Sequence, residues 1–274
     1  SLHVAIPELR EVTMSLVDIH AHHLCSSAKR SETGEYSWQQ EHMGKNALVG
    51  YSHGASGIVS ALSDASILCG NDEFQRFIDG GLLFERRWRE ARGFWPDLRE
   101  ELSSSADAPG MISWCHGAPG VALARLQLLE NGYSSDLVPE SDIVEDMLDA
   151  VDETVSRSIL EGGSHFSTSM ALCHGQLGSL EILSRIACHE YSVEHGFPES
   201  DAKNYLRQVD SYWEAVVSRA YRGGVVCGVP RGLEVPGLMT GISGIGLSLM
   251  RYGNSRWDLP LVLCGDVPRS ECFQ

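Results

Sequence analysis

Apolar positions along this chain recur mostly with the period of an α-helix, and runs that alternate with the period of a β-strand are scarce. In GVALARLQLLENG (120–132), Val121, Ala124, Leu128 and Leu129 fall near one face of a helix. Residues 71–91, 140–161 and 200–222 are more polar but keep helical spacing, as is typical of amphipathic helices. The pattern predicts an all-α protein.

A glycine motif precedes each of four apolar segments. Its copies are SHGASGI (52–58), CHGAPGV (115–121), CHGQLGS (173–179) and MTGISGI (239–245). The residue before the first glycine is His53, His116, His174 or Thr240, at steps of 63, 58 and 66 residues. Four copies at a near-constant step indicate a repeated architecture. Each repeat is predicted to hold an apolar inner helix and an amphipathic outer helix.

Stacked helical hairpins form either an open superhelix or a closed ring. The inner segments carry Gly, Ala and Ser, which permit close approach at a crowded centre. They favour the ring, an α/α toroid of repeated hairpins, although a superhelix is compatible with the same residues. We predict that residues 1–274 form a single domain of this kind.

In a ring, inner helices begin on the same rim, so motif residues distant in sequence should converge there. Thiolate and imidazole are ligands that zinc selects. Adjacent Cys173 and His174, joined by Cys115, would supply three ligands and leave one position open, as in catalytic zinc sites. The competing interpretation is that these are buried thiols and helix-capping histidines. Two Cys-His pairs in register make that interpretation the weaker one.

Such a site suggests a reaction as well as a metal. A substrate thiol that joins zinc loses its proton near neutral pH, and the resulting thiolate is a nucleophile. An electron-poor alkene would accept it and leave a carbanion or enolate that needs a proton. His53, in the preceding motif, is the candidate donor of that proton.

Composition removes several other functions. The net charge of −16 argues against binding of nucleic acid or anionic lipid. No apolar run reaches eighteen residues, and the N-terminus lacks the pattern of a signal peptide. The eight cysteines contain no CxxC pair, which favours reduced thiols in the cytoplasm.

In combination, the motifs resemble those of the lanthionine synthetase C-like family, the lanthipeptide cyclases. The matching stretches are GYSHGASGI, WPDLR, SWCHGAPGVALARL, ALCHGQLGSLEIL, PGLMTGISGIGLSLMRY and the tail DLPLVL. The form WCHGAPG is most similar to the cyclase domain of bifunctional class II (LanM-type) synthetases.

The resemblance implies a toroid of seven inner and seven outer helices with zinc at one mouth. It implies Cys115, Cys173 and His174 as zinc ligands and His53 as the general acid/base, and it gives His116 no ligand role. The implied reaction is Michael-type addition of a precursor-peptide Cys thiol to dehydroalanine or dehydrobutyrine, forming lanthionine or methyllanthionine. A dehydratase domain and an export machinery are the implied partners beside that peptide.

Two departures from the family pattern affect these expectations. At about sixty residues per hairpin, 274 residues supply only part of the seven-fold ring, so the chain is expected to be the C-terminal portion of a larger synthetase. The family's early aspartate motif has no match here. Both keep open an alternative: a non-catalytic, cyclase-like module that binds a peptide or glutathione. A glycoside hydrolase toroid is disfavoured because the motifs contain no paired carboxylates.

Two other sets of polar residues have weaker interpretations. Glu85, Arg86 and Arg87 are predicted to form a solvated face of an outer helix. Arg231 and Glu234, in the predicted loop PRGLEVPG (230–237), are candidates to face the peptide channel.

Overall fold

The structure is a computed structural model, and it describes residues 7–40, 44–99, 111–157, 168–187 and 199–253. The tail DLPLVL lies outside these residues. The described chain is mainly helical, as the sequence predicts. Its helices are α1 (Arg10–Ser27), α2 (Ala55–Cys69), α3 (Gln75–Arg92), α4 (Ala118–Glu130), α5 (Glu140–Val155), α6 (Gln176–Ala187), α7 (Glu199–Gly223) and α8 (Ile242–Gly253). Short 3-10 turns occur at Pro7–Leu9, Asp72–Phe74 and Pro230–Gly232.

Extended structure is minor within the described ranges. Strands β1 (Lys29–Arg30) and β2 (Tyr36–Ser37) form one antiparallel pair in which Lys29 lies opposite Ser37. No helix in these ranges is both long and apolar enough to cross a membrane.

The chain forms two compact units. Unit 1 comprises Ser1–Gly110 and Ala124–Met147, and unit 2 comprises Met111–Leu123 and Leu148–Gln274. The boundaries fall inside α4 and α5, so neither unit is one continuous stretch of sequence. The expectation that residues 1–274 form a single domain stays a prediction.

Each unit contains helices paired as the repeat predicts. In unit 1, α2 packs against α3, and its buried side chains include Val59 and Leu62. In unit 2, α6 packs against both α7 and α8, and nine of its residues are buried. Burial of these apolar faces, at about 25 cal/mol per Å², provides the main drive for pairing.

Glu85 and Arg86 do not form the solvated face predicted for them. The side chains of Glu85 and Arg125 are fully buried in unit 1, where Arg125 Nη1 lies 3.0 Å from Glu85 Oε2 and its Nε lies 3.2 Å from Asp146 Oδ2. Arg86 is mostly buried and pairs with Asp146 at 3.2 Å. Only Arg87, whose side chain is 55% exposed, fits the prediction. The reason is helical phase, because Glu85 lies one turn beyond the buried Leu82 and on the same face.

Candidate metal centre

The glycine motifs form turns that share the same hydrogen-bonding pattern. The first helical N–H donates to the carbonyl seven residues earlier in three of them: Ala55 to Leu48 (3.0 Å), Gln176 to Ser169 (3.1 Å), and Ile242 to Val235 (2.8 Å). A Cβ on the second glycine would lie 1.9–2.0 Å from a carbonyl oxygen six residues earlier, at Gly57, Gly178 and Gly244. No side chain fits there, so the repeated glycine has a steric cause.

Ser113 fixes the turn that carries Cys115. Its hydroxyl donates to the His116 carbonyl (2.9 Å) and accepts from the His116 N–H (3.3 Å). The same oxygen lies 3.4 Å from Cys115 Sγ. Gly117 follows with φ +99°, and a Cβ there would lie 1.5 Å from the Met111 carbonyl oxygen. Cys115 is therefore held in a turn that only glycine can complete, directly before α4.

Backbone hydrogen bonds join successive motifs within unit 2. The Cys115 N–H donates to the Cys173 carbonyl (3.2 Å), and the Cys173 N–H donates to the Met239 carbonyl (2.9 Å). Each of these residues occupies the same place in its motif, two before the glycine of its turn. The repeat thus places the two thiols side by side.

Cys115, Cys173 and His174 form one cluster, in which the candidate ligand atoms all lie within 4.8 Å of one another. Cys115 is 4% exposed, while Cys173 and His174 are half-buried. Donors bound at 2.0–2.3 Å around a tetrahedral ion stand roughly 3.5 Å apart, so a small contraction would bring these atoms to ligand distance. The donor set, two sulfurs and one imidazole, fits zinc or another borderline-soft ion.

The imidazole of His174 has its tautomer set by a backbone carbonyl. Its Nε2 lies 2.7 Å from the Gly228 carbonyl oxygen, which can only accept, so Nε2 carries the proton. Nδ1 of the neutral ring then keeps its lone pair for a metal, and a fixed partner on the other nitrogen is usual for histidine ligands. A Cβ on Gly228 would lie 2.9 Å from Nε2, so glycine is what allows this approach.

The hydrogen bond between the two thiols shifts their pKa values in opposite directions. A hydrogen bond from Cys173 lowers the pKa of Cys115, with further help from Ser113, although burial opposes it. The pKa of Cys173 is raised because its thiol donates that bond and is partly buried beside the Cys115 sulfur. A cation bound by both sulfurs would favour the thiolate form of each.

A sequence model described as "Lanthionine synthetase C-like protein" matches residues 6–262. The chain belongs to the lanthionine synthetase C-like family. The resemblance in the motifs is thereby confirmed.

Two proteins similar to this lanthionine synthetase C-like chain extend the comparison. It is 27% identical over 207 residues to the "Lacticin 481/lactococcin biosynthesis protein LcnDR2" of Lactococcus lactis subsp. lactis, a match that covers 76% of this chain and 21% of that protein. Its structure is similar to that of "Nisin cyclase", with a TM-score of 0.53, 18% identity, and coverage of 91% of this chain and 59% of that one. The structural likeness confirms the predicted fold class, an α/α toroid.

The other predicted histidines of this lanthionine synthetase C-like chain lie outside the cluster. His53 is half-buried in unit 1, in the turn before α2, and its carbonyl accepts from Gln40 Nε2 at 3.0 Å. Its role as a proton donor stays a prediction. His116 is 3% exposed, and its charge lowers the pKa of its neighbour Cys115.

Three residues that shape these motifs were missed in the sequence. Ser113 and Gly228 act on the cluster through a hydroxyl and a carbonyl, and neither residue type marks a metal site by itself. Glu85 accepts from the N–H groups of Gly50 (3.1 Å) and Ser56 (2.9 Å), which flank His53. The helical spacing of Glu85 from Ile78 and Leu82 was the feature of the sequence that could have predicted its burial.

A groove of about 570 Å³ in unit 2 opens beside the cluster. His174 lies in its lining, together with Thr168, Ser169, Val226, Cys227, Gly228, Val229, Pro230 and Arg231. Arg231 thus shares a groove with a candidate ligand, whereas Glu234 is not among the lining residues.

Proposed function

We propose that this chain is the cyclase domain of a lanthipeptide synthetase, which binds zinc through Cys115, Cys173 and His174 and closes thioether rings in a precursor peptide. The observation that carries the proposal is the clustering of these three residues within 4.8 Å in a member of this family. Three protein ligands leave a fourth position for a peptide thiol. When bound, the metal would lower the pKa of that thiol to near neutrality.

The chain's own residues prepare this site. Ser113 holds the Cys115 turn, and Gly228 holds the His174 ring through Nε2, which would leave Nδ1 for the ion. The partial burial of the cluster limits water access, which strengthens electrostatic interactions there. The peptide sulfur then adds to the β-carbon of dehydroalanine or dehydrobutyrine, and a proton is added to the α-carbon. We assign delivery of that proton to His53.

The whole protein is proposed to be a class II synthetase. This chain spans 21% of the length of the Lactococcus relative and 59% of nisin cyclase. The second motif, WCHGAPG, resembles the form found in class II synthetases. We infer that a dehydratase domain supplies the dehydrated residues, that an export machinery receives the product, and that the cytoplasm is the compartment.

The test is thiol consumption by the zinc-loaded chain. Ring closure leaves the peptide mass unchanged, so a dehydrated peptide with a free cysteine is alkylated at intervals and its unreacted thiols are counted by mass spectrometry. The parent chain should consume thiols, whereas Cys173→Ala should lose both metal and activity. Cys69→Ala is the matched control, since it removes a half-buried thiol from unit 1 and should retain both.

The same assay separates the enzyme from the non-catalytic module. His53→Ala should retain zinc and slow ring closure by about 10²- to 10⁴-fold, the usual contribution of a positioned acid or base. An unchanged rate would remove His53 from its role. A parent chain that binds zinc and the peptide but consumes no thiol would be the binding module.

A further inference from the structure

Arg231 has an unusual backbone. Its φ is +64° and its ψ is 14°, and within the described ranges it is the only residue other than glycine with a positive φ. A side chain in this left-handed region costs stability, and such conformations cluster at functional sites. Glycine would occupy the position without that cost.

The loop that carries Arg231 is fixed at both ends by backbone hydrogen bonds. The N–H of Gly228 donates to the Thr240 carbonyl (2.7 Å), and the N–H of Met170 donates to the Val226 carbonyl (2.8 Å). On the far side, Ile242 donates to Val235 (2.8 Å). The carbonyl of Gly228 also holds His174. Arg231 and the candidate ligand are therefore positioned by one short segment.

The guanidinium of Arg231 is available to a ligand. Arg231 is exposed, lines the groove beside His174, and forms no ion pair or hydrogen bond with any residue in the part of the chain that the structure describes. Arg125 and Arg86, by contrast, are committed to carboxylates in unit 1. An arginine side chain is a cation that offers a planar set of donors to an oxygen anion.

We propose that Arg231 binds the amide carbonyl oxygen of the dehydroamino acid and stabilises the negative charge that develops on it during ring closure. The inference rests on the proposed cyclase function. As the sulfur–Cβ bond forms, the Cα=Cβ π pair moves to the Cα–C bond, and the carbonyl π pair moves onto oxygen. The enolate then takes a proton at Cα, and the C=O bond is restored. A permanent cation stabilises the oxygen without protonating it.

The experiment compares Arg231→Gly with the parent, using the thiol-consumption assay. We expect kcat to fall about 10²- to 10³-fold, as for loss of one oxyanion donor, while KM changes less than kcat. Zinc content should be unchanged, and Tm should equal or exceed that of the parent because the left-handed strain is relieved. Added guanidinium ion, the probe for chemical rescue, should restore part of the lost kcat. Arg219→Gln is the control: it removes one exposed charge from α7 and should leave kcat unchanged.

The alternative outcomes are distinct. A parent that consumes no thiol would overturn the cyclase function and this proposal with it. If the parent closes rings and the Arg231→Gly variant closes them equally fast, the cyclase function stands and only the proposal for Arg231 is overturned. A rise in KM with unchanged kcat would make Arg231 a general peptide contact, and a loss of zinc or a lower Tm would make it a structural residue; either result would contradict the proposal.

Discussion

Gly228→Ala isolates the contact that orients the proposed histidine ligand. Gly228 has no positive φ, so alanine can adopt its backbone conformation. The new Cβ would lie 2.9 Å from His174 Nε2 and 2.7 Å from Ala171 Cβ. Restoring an ordinary contact of 3.4 Å requires shifts of about 0.5 and 0.7 Å. The His174 ring, or the loop that carries the accepting carbonyl, must therefore move.

This shift should weaken zinc binding measurably. Disturbing a partner that orients a ligand usually costs about 10- to 100-fold in metal affinity, which equals roughly 1.4–2.7 kcal/mol. The assay is competition for zinc with a chromophoric chelator under reducing conditions. Thermal unfolding of the metal-free protein, measured in parallel, reports any general loss of stability.

Gly246→Ala is the matched control. Gly246 lies inside α8 in the same unit, and a Cβ there meets nothing within 4 Å. Alanine favours a helix interior by about 1 kcal/mol over glycine, so the control should keep the parent zinc affinity and an equal or higher Tm. If Gly228→Ala bound zinc as tightly as the parent, the Gly228 carbonyl would not be orienting a ligand, and the assignment of Nδ1 as the metal-binding atom would fail.

Two further predictions concern unit 1. Glu85→Gln removes one of the two carboxylate charges that face the buried Arg125, and it should lower the free energy of unfolding by about 3–5 kcal/mol in urea titrations. A loss below about 1 kcal/mol would show that the ion pair contributes little. Burial and the hydrogen bond to Asp79 raise the pKa of Tyr133, so the folded chain keeps this proton at alkaline pH where the unfolded chain releases it. Stability should therefore fall as pH rises above about 10, and Tyr133→Phe should flatten that slope; identical slopes would contradict the coupling.

The repeat is what made the fold and the cluster predictable. In three of the four motifs the second glycine meets a carbonyl at a distance that excludes any side chain, so the sequence must carry glycine there. Cys115 and Cys173 occupy equivalent positions in successive motifs, and equivalent positions are joined by backbone hydrogen bonds. Their convergence follows from architecture, with no need to know individual contacts.

The residues that shape the motif turns and the groove were not predictable in the same way. Gly228 acts through a carbonyl that every residue possesses and through the absence of a Cβ, so its type alone indicates no role. The sequence made Arg231 a candidate to face the peptide channel, but its left-handed φ could not be inferred from the residue type. Glu85 is different, because its helical phase relative to Ile78 and Leu82 indicated burial. The prediction of a solvated face relied on the charge of the residue and did not use its helical phase.

X-ray absorption at the zinc edge tests the metal centre most directly. For the reduced, zinc-loaded chain we expect two sulfur ligands at about 2.3 Å and one imidazole nitrogen at about 2.0 Å, with a light atom in the fourth position. Adding a peptide with a free cysteine should replace that light atom with a third sulfur. A chain that binds no zinc, or a zinc shell that is unchanged by the peptide thiol, would contradict a site built to accept an incoming sulfur.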